Sequence, residues 1–480
     1  MNNKCQVFTP ENIANQMLDL AHYRSKLYGK RVLESACGEG NLLACVIKRY
    51  ILDCLNHQLP VQTVKKGLER DIWGYDIDEE CCDACRAKLS EVAKQFGIVD
   101  VQWNVHNANS LHFCPTLGFD YIFGNPPYIT YRELDNTARQ ELKSMYKSCG
   151  SGAFDYCYAF LERDLSCLNK EGKLVYLLPS SIYKNVYAKE LRKLTLPYIA
   201  EVIDFATIKL FGSVLTSSTI LMCDGGWNRS YFHYRNAATG VKYRIEKESL
   251  RSLQKWIFVN DKREMTAKYK FSDFFTASIV VATLLNEAFV LRNATETDTS
   301  IDVDGIAIEK QVVRKTASPR TLRYGKNEYI IFPYHFEKGL QRYTEDAFSV
   351  SFPNAMSHLR KYYDRLIARN SDKNSKWFEY GRSQALTTIC QKKLLLSTVV
   401  TKCVEVYELG EDVVPYSGIY IRTKGALSLD VAKQILQSKE FYEYVCNIGI
   451  YASGESIRIT AKDIESYEFD WCEEYNHGKT

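Results

Sequence analysis

The chain has 480 residues, too many for one ordinary hydrophobic core, so its length predicts two or three domains. Apolar residues make up 46% of it and charged residues 25%, as in a soluble globular protein. The net charge of +4 is too small to indicate a polyanion-binding protein, so any such surface would have to be a local basic patch.

The cysteines and the apolar runs indicate the compartment. The 16 cysteines are scattered, and the close cluster Cys81, Cys82 and Cys85 has no second Cys or His pair at zinc-finger spacing, so we predict no metal site. The N-terminus lacks an apolar signal region, and an apolar stretch such as Ile279 to Leu285 is far too short to span a bilayer. We expect a cytoplasmic protein with free thiols and no membrane partner.

The first predicted element is a helix near the N-terminus. Thr9 has the pattern of an N-cap, and Pro10 suits the first helical position. Apolar residues then recur from Ile13 to Ala21 on one helical face. Taken alone, this pattern predicts only a terminal helix.

A glycine turn follows the first predicted strand. Strand 31–34 runs into Gly38 and Gly40, and a helix is predicted from Leu42 towards Leu55. Glycines let the backbone approach a ligand closely, and the helix start offers unpaired N–H groups. Asp76 lies at the carboxyl end of the second strand, where it could accept two ribose hydroxyls. It stands much farther from Gly40 than the roughly 20 residues of a dinucleotide fingerprint, which argues against a nicotinamide cofactor.

Strands and helices alternate as far as about Trp227. We predict helices at 79–96 and 154–169 and near 191, strands at 72–78, 101–107, 120–124, 173–179, 202–205 and 217–223, and a polar, mobile loop at 129–152. The alternation predicts a mainly parallel sheet, with its last two strands as an antiparallel edge. Beyond Trp227 the alternation is lost. Residues 230–263 read as a connection between domains, and residues 271–470 as an irregular mixture of strands and helices.

The most informative stretch is Asn125–Tyr128, which ends the strand at 120–124. Two prolines cannot continue a ladder, so Asn125 should face a crevice at the carboxyl end of that strand. Because the prolines donate no hydrogen bonds, the Asn125 side-chain oxygen and the Pro126 carbonyl form a rigid pair of acceptors for an exocyclic NH2 group. Tyr128 would then lie against the planar ring that carries this amine. The alternative is a strand-to-loop turn with Tyr128 packed on the core.

Four segments, in their order along the chain, resemble the amino-methyltransferases of DNA that modify adenine at N6: Phe8-Thr9-Pro10, Glu34-x-Ala36-Cys37-Gly38-x-Gly40, Asp76-Ile77-Asp78 and Asn125-Pro126-Pro127-Tyr128. The motif order is similar to the gamma class, and the overall length is similar to the TaqI-like group. The resemblance carries specific motifs over about the first 225 residues. It implies a Rossmann-like α/β methyltransferase fold at 1–229, the connection at 230–263, and a mixed α+β target-recognition domain at 264–480.

The resemblance also implies roles for individual residues. The S-adenosylmethionine site would contain Thr9, Pro10, Glu34, Ala36, Cys37, Gly38, Gly40, Asp76, Ile77, Asn109 and Phe160. Catalysis would fall to Asn125, Pro126, Pro127 and Tyr128. Asn109 stands where the family usually has Asp, which keeps an acceptor but loses a charge. Ser35 stands where proline is commoner. Phe211 resembles a second aromatic that sandwiches the target base against Tyr128, although an apolar core residue would look the same.

The implied mechanism is a direct transfer. The target adenine leaves the duplex, and Asn125 and Pro126 hold its amine in line with the sulfonium methyl, so catalysis is chiefly positioning and desolvation. No covalent intermediate is needed, and no Pro-Cys dipeptide occurs in the chain.

The C-terminal half would read the target sequence. There Arg382 or Gln384 could pair with base edges, and Lys392, Lys393 and Lys402 could meet phosphates. Each of these basic residues is equally compatible with a solvated surface.

Double-stranded DNA is the implied partner, within a restriction–modification or related system. Methylation of RNA adenine, methylation of a protein glutamine amide, and a catalytically silent DNA-binding subunit remain open. We expect no fused nuclease, since little precedes Thr9 and no nuclease constellation is visible. A separate cognate endonuclease is compatible with the sequence, and so is a monomer.

Overall fold

The computed structural model describes residues 9–112, 118–205, 208, 217–258, 269–336, 339–453 and 456–470. The chain divides into two compact units after Asn260, and Ile450–Gly454 is grouped with the first unit. Among the helices of the described ranges, none combines the length and the apolar character that crossing a bilayer requires.

The first unit alternates helices and strands. In chain order these are α1 (Glu11–Leu20), β1 (Val32–Glu34), α2 (Asn41–Asn56), α3 (Val61–Asp71), β2 (Ile72–Asp76), α4 (Glu79–Lys94), β3 (Asn104–Asn107), β4 (Phe119–Gly124), α5 (Asn136–Met145), α6 (Cys157–Ser166), β5 (Leu168–Pro179), α7 (Ser181–Lys184), α8 (Lys189–Thr195), β6 (Ile199–Asp204), β7 (Ser218–Asp224), β8 (Tyr231–Asn236), β9 (Lys242–Glu246) and α9 (Lys247–Arg251).

The strands of the first unit form one sheet in the order β3-β2-β1-β4-β5-β7-β6-β8-β9. Strands β1 to β5 are mutually parallel, β7 runs antiparallel to both β5 and β6, and β9 is an antiparallel edge strand beside β8. The predicted α/β fold, with a mainly parallel sheet and an antiparallel edge, is therefore confirmed. The prediction that the last two strands form the edge was wrong in one respect, because β6 and β7 both lie inside the sheet, which continues through β8 to β9.

Both faces of this sheet are buried. Successive strand residues point to opposite faces, so Phe123 joins the core cluster of α1, α2 and α4, whereas Ile122 joins the cluster of α6 and α8. Met17 and Val46 cover the first face, and Phe160 covers the second. Burial on both faces explains why the strands read as continuous apolar runs in the sequence.

Three local predictions for the first unit need correction. Pro10, not Thr9, is the residue that precedes α1, and its side chain has no polar atom with which to cap the helix. Residues 129–152 are not simply a loop, because α5 lies within them and the Asp135 side chain caps it by accepting from the Ala138 N–H at 2.8 Å. Helix α3 was not predicted at all.

The expected connection at 230–263 is also wrong for its first part. Strand β8 pairs in parallel with β6, and β9 returns antiparallel to β8, so this hairpin extends the catalytic sheet. Phe232 and Tyr234 are buried and alternate with polar residues, which is the period of a half-buried strand. No helix separates β8 from β9, so the βα alternation that guided the prediction ends before the sheet does.

Apart from β24 (Ile450–Ser453), which is grouped with the first unit, the described chain after α9 belongs to the second unit, a mixture of short antiparallel sheets and helices. In chain order the elements after α9 are β10 (Tyr269–Lys270), α10 (Phe271–Phe274), β11 (Phe275–Ile279), α11 (Asn286–Phe289), β12 (Val290–Leu291), β13 (Thr295–Glu296), β14 (Ser300–Val303), β15 (Ile306–Glu309), β16 (Val313–Thr316), α12 (Pro319–Arg323), β17 (Glu328–Ile331), β18 (Tyr334–Phe336), β19 (Leu340–Arg342), α13 (Glu345–Ser351), α14 (Pro353–Arg360), α15 (Tyr363–Ile367), β20 (Lys393–Leu396), β21 (Val399–Val400), β22 (Val406–Leu409), β23 (Ile419–Thr423), α16 (Leu429–Gln437), α17 (Lys439–Ile448), β24 (Ile450–Ser453), β25 (Ser456–Arg458), α18 (Ala461–Glu465) and β26 (Glu468–Phe469). Its largest sheet has the order β11-β23-β20-β22.

Candidate cofactor and catalytic site

The candidate site lies where the strand order of the sheet reverses. Strand β1 has β2 on one side and β4 on the other, so the connections from β1 and β4 leave in opposite directions and open a crevice at their carboxyl ends. Leu33 pairs with Ile122 in this parallel register. The residues that follow Glu34 and Gly124 therefore emerge side by side.

The turn after β1 is held by Asp76 at the end of β2. Gly38 donates its N–H to Asp76 Oδ2 at 2.8 Å, and Asp78 donates its N–H to Asp76 Oδ1 at 3.0 Å. Gly38 has a φ of 49° and Gly40 a φ of 80°, in the left-handed region that favours glycine. A Cβ on Gly40 would lie 2.6 Å from Cys85 Sγ, so only glycine fits between this turn and α4.

Glu34 ends β1 as a buried carboxylate. Burial, followed by the nearby Cys85 and Asp76, raises the pKa of Glu34, while a hydrogen bond from the Leu43 backbone acts in the opposite direction. Within the described part of the chain, Glu34 Oε2 has no hydrogen-bond partner. A buried acceptor of this kind is stabilised by a cationic or hydrogen-bond-donating ligand. The site therefore fits the amino and sulfonium end of S-adenosylmethionine.

Other predicted cofactor residues lie within this turn, just beyond β2, or before α1. Cys37 is buried and donates its backbone N–H to the Tyr75 carbonyl at 2.8 Å, while Ala36 is partly exposed. Ile77 is 54% exposed just beyond β2, where an apolar side chain can lie against a planar ring. Thr9 is buried and Pro10 partly buried, directly before α1.

Asn109 is already engaged as a local cap. Its Oδ1 accepts from the Leu111 N–H at 3.1 Å, and its Nδ2 lies 3.4 Å from His112 Nε2. The turn is brought to the site because Ala108 donates to the Asp76 carbonyl at 2.9 Å. An amide oxygen can accept a second hydrogen bond, so the loss of the usual carboxylate leaves a weaker but usable acceptor.

The start of the Asn125–Tyr128 segment is held by the packing of β4 against β5. Gly124 pairs with Tyr176 across β4 and β5, and a Cβ on Gly124 would lie 2.6 Å from a ring carbon of Tyr176. Asn125 and Tyr128 are partly exposed, whereas Pro126 is buried. The Tyr128 hydroxyl is buried and has no partner among the described residues. Burial, with a smaller contribution from Cys157, raises the pKa of Tyr128.

The chain after Tyr128 is tied to the segment that leads into α6. Tyr156 donates its N–H to the Ile129 carbonyl at 2.9 Å, and Thr130 forms an antiparallel bridge with Asp155. Burial raises the pKa of Asp155 to about 6, and its hydrogen bond with Tyr158 lowers it in part. These bonds restrain the backbone that follows Tyr128.

A buried polar network supports the site, and the sequence analysis missed it. Ser35 Oγ donates to Asp164 Oδ1 at 2.7 Å, Arg163 Nη1 donates to the same oxygen at 2.6 Å, and the Tyr176 hydroxyl also donates to Asp164. It joins β1, α6 and β5 beneath the crevice. Adjacent charges at Arg163 and Asp164 inside an apolar helical stretch were the available signal. The network also explains Ser35, because proline there could not make these bonds.

Phe160 and Phe211 have different outcomes. Phe160 is buried on α6, with its ring edge-on to Tyr156 at a centroid distance of 5.3 Å. Phe211 lies outside the described residues.

The predicted DNA-binding residues lie in the second unit. Arg382 Nη1 is 3.1 Å from Asp372 Oδ1, and Gln384, Lys392 and Lys402 are exposed. Lys393 cannot meet phosphate, because it is buried and donates Nζ to the Gly410 and Val413 carbonyls at 2.7 and 2.9 Å. The prediction for Lys393 was therefore wrong.

The predicted cysteine cluster is buried on α4, which begins after Asp78. Across the described ranges no group of three or more His, Cys, Asp or Glu side chains is arranged to hold a metal ion.

The sheet order, the glycine turn and the acidic residues that end β1 and β2 are those of the class I S-adenosylmethionine-dependent methyltransferase fold. A family model described as Eco57I restriction-modification methylase matches residues 70–211. The Type II methyltransferase M.BstVI of Geobacillus stearothermophilus is 20% identical over 504 residues, which cover 95% of this chain and 88% of that protein. The Type II restriction enzyme and methyltransferase RM.Eco57I of Escherichia coli is 23% identical over 324 residues, which cover 56% of this chain.

Among solved structures, the Type IIL restriction-modification enzyme MmeI in complex with DNA matches with a TM-score of 0.61 at 14% identity, over 95% of this chain. The chain spans 64% of the MmeI chain and 31% of RM.Eco57I. The likeness to MmeI shows the fold. The curated relatives are restriction–modification methyltransferases, and they support a DNA methyltransferase function for this chain with S-adenosylmethionine as the methyl donor.

Proposed function

We propose that this methyltransferase modifies the N6 amine of an adenine in duplex DNA. The observation that carries the proposal is the position of Asn125. It follows β4 at the carboxyl edge of the sheet, beside the β1 turn that carries the cofactor residues. An acceptor at this point can hold an amine next to the methyl donor.

Two acceptors would orient the amine. The Asn125 side-chain oxygen and the Pro126 carbonyl each accept one N–H bond, which directs the nitrogen lone pair towards the donor. When bound, S-adenosylmethionine supplies an electrophilic methyl group. The surroundings of Asn125 keep this geometry rigid, because Gly124 packs against Tyr176 and Tyr176 is held by Asp164. The contribution of the protein is then positioning and exclusion of water.

Tyr128 would stack on the target base after it leaves the duplex. Extrusion costs a few kcal/mol, and stacking on an aromatic ring returns about 1 to 3 kcal/mol per base. The buried Tyr128 hydroxyl makes no hydrogen bond within the described residues, so the ring alone accounts for this role. Phe211 remains our candidate for the opposite face of the base.

The second unit would recognise the target sequence. Gln384 is exposed near Arg382, so both could reach base edges, and the exposed ammonium groups of Lys392 and Lys402 suit phosphate oxygens. We assign this role to residues 264–480. The motif order favours the gamma class, with a TaqI-like arrangement. We further expect a cytoplasmic enzyme, and a monomeric state and a separate endonuclease partner are both compatible with this proposal.

The amine-holding role is tested with Asn125→Ala. We expect this variant to lose methyl transfer to duplex DNA and to bind S-adenosylmethionine with unchanged affinity, because its oxygen serves the target amine. Asn56→Ala is the matched control, since Asn56 is exposed at the far end of α2. Turnover of Asn125→Ala near that of the control would show that the assigned role is wrong.

The stacking role is tested with a pair of variants. Tyr128→Phe keeps the ring and removes a hydroxyl that has no partner in the described structure, so we expect near-normal methyl transfer. Tyr128→Ala removes the ring, and we expect a loss of roughly 1 to 3 kcal/mol in binding of the extruded base. Fluorescence of 2-aminopurine at the target position reports extrusion. Equal extrusion by both variants would contradict the stacking role.

A further inference from the structure

A basic cavity lies in the first unit, apart from the residues assigned to the cofactor and to catalysis. It has a volume of about 370 Å³ and is formed by α8, α9 and the segment that follows α9. Its basic lining residues are Lys189, Arg192, Lys193, Lys247 and Arg251. The proposed chemistry uses none of them.

Arg192 is the central observation, because its charge is buried and no counter-ion lies beside it among the residues that the structure describes. The residue is 3% exposed, and Nη1 donates to the Ile182 and Asn185 carbonyls at 2.7 Å each, while Nη2 donates to the Gln254 carbonyl. Its Nε is buried and has no hydrogen-bond partner among the described residues. No carboxylate of the described residues lies within ion-pair distance of the Arg192 guanidinium, and the nearby Glu190 pairs with Lys193 instead. Burial lowers the pKa of Arg192 to about 10.

Lys247 adds a second buried cation to the same lining. It is 7% exposed, and its Nζ donates to the Pro197 carbonyl at 2.6 Å. Burial lowers the pKa of Lys247. Carbonyl groups supply dipoles but no negative charge, so no full negative charge among the described residues compensates these two buried cations beside one cavity.

The acidic residues near the cavity do not neutralise it. Glu190 pairs with Lys193 at 2.8 Å within α8, and Glu248 pairs with Arg251 at 2.9 Å within α9. Both pairs are exposed. Exposed pairs of this kind are weak and exchange readily. Among the described residues, Arg192, Lys247 and the exposed Lys189 thus leave an excess of positive charge.

The rest of the lining is apolar. Leu196, Leu250 and Trp256 contribute to it, and the Arg192 guanidinium lies 5.9 Å from the centroid of the Trp256 ring. The volume is in the range of small-molecule sites and exceeds the need of a bare inorganic ion. Clustered Arg and Lys side chains favour a multiply charged phosphate, and the apolar lining favours an attached organic group.

We propose that this cavity binds a phosphate group carried on an organic molecule, with Arg192, Lys247 and Lys189 as its cationic residues. A free phosphate ester and a phosphodiester of bound nucleic acid present the same chemistry. The site does not depend on the proposed methyl transfer, so its test does not require an active enzyme.

The test measures binding to the full-length chain by calorimetry. The probes are phenyl phosphate, inorganic phosphate, benzyl alcohol and a short duplex of arbitrary sequence. We expect phenyl phosphate to bind with a Kd at least tenfold below that of inorganic phosphate, and benzyl alcohol not to bind. Arg192→Met should abolish the binding of phenyl phosphate. Because that variant alters a buried residue, the exposed substitution Lys189→Glu provides a second test, with an expected tenfold weakening.

Lys242→Glu is the matched control, because Lys242 is exposed on β9 and does not line the cavity. Duplex binding that Lys189→Glu weakens tenfold and Lys242→Glu does not, without any binding of phenyl phosphate, would identify the phosphate as that of nucleic acid. The proposal is overturned if neither phenyl phosphate nor the duplex binds, or if Lys189→Glu and Lys242→Glu weaken binding equally.

Discussion

The substitution Asp76→Ala tests how the β2 carboxylate serves the cofactor site. In the structure this carboxylate accepts the Gly38 N–H at 2.8 Å and the Asp78 N–H at 3.0 Å. Each oxygen keeps a further lone pair for a ribose hydroxyl. Hydrogen bonds to a charged group contribute about 1.5 to 3 kcal/mol each, so the loss of one ribose bond should raise the Kd about 10- to 150-fold.

The assay is calorimetric titration with S-adenosylmethionine and with S-adenosylhomocysteine, which shares the ribose. Both affinities should fall by the same factor, because Asp76 is assigned to the sugar and not to the sulfonium. Asp83→Ala is the control, since Asp83 is exposed on α4, where its carboxylate pairs with Arg86 at 2.6 Å. An unchanged Kd for Asp76→Ala would refute the assignment.

Three further substitutions test packing and buried charge. Gly124→Ala should destabilise the fold by about 1 to 3 kcal/mol in urea, because its Cβ would lie 2.6 Å from the Tyr176 ring; unchanged stability would contradict this. Burial raises the pKa of Asp155 to about 6, so the folded state binds more protons than the unfolded state between about pH 4 and 6, and the free energy of unfolding falls as the pH rises through that window. Asp155→Asn should remove up to about 3 kcal/mol of this pH dependence, measured by urea unfolding at both pH values. Parallel pH profiles of the variant and the parent would refute the prediction. Burial lowers the pKa of Lys393 to about 8, so the folded state binds fewer protons than the unfolded state between about pH 8 and 10, and the free energy of unfolding rises with pH in that range. Lys393→Met should flatten that rise. An unaltered slope of the unfolding free energy against pH would count against the buried amine.

The catalytic half of the fold was predictable where local signals and sheet physics agree. The apolar runs that became β1, β2 and β4 are largely buried, and polar residues, glycines or prolines follow them, so their order and their carboxyl-end residues were readable. On these grounds Asp76 was predicted at the carboxyl end of the second strand. In the structure it ends β2 and accepts a hydrogen bond from Gly38 of the glycine turn. The β8–β9 hairpin was not readable, because no helix follows β8.

The support of the site was less predictable, because it depends on contacts between distant segments. Ser35 reaches Asp164 across 129 positions of sequence, and nothing local in Arg163-Asp164 indicates that partner. Lys393 shows the same limit. Its neighbours Lys392 and Lys402 are exposed, but Lys393 points into the sheet, and strand alternation in so short a segment did not reveal which lysine would be buried.

The most direct test of the central claim is the product of methyl transfer to duplex DNA. Purified chain is incubated with tritium-labelled S-adenosylmethionine and unmethylated genomic DNA, and the nucleosides are separated after digestion. We predict label in N6-methyldeoxyadenosine, at adenines within one short sequence that single-molecule sequencing identifies, and none with Asn125→Ala. Label in a methylated cytosine, or no label in DNA while the cofactor still binds, would contradict the account.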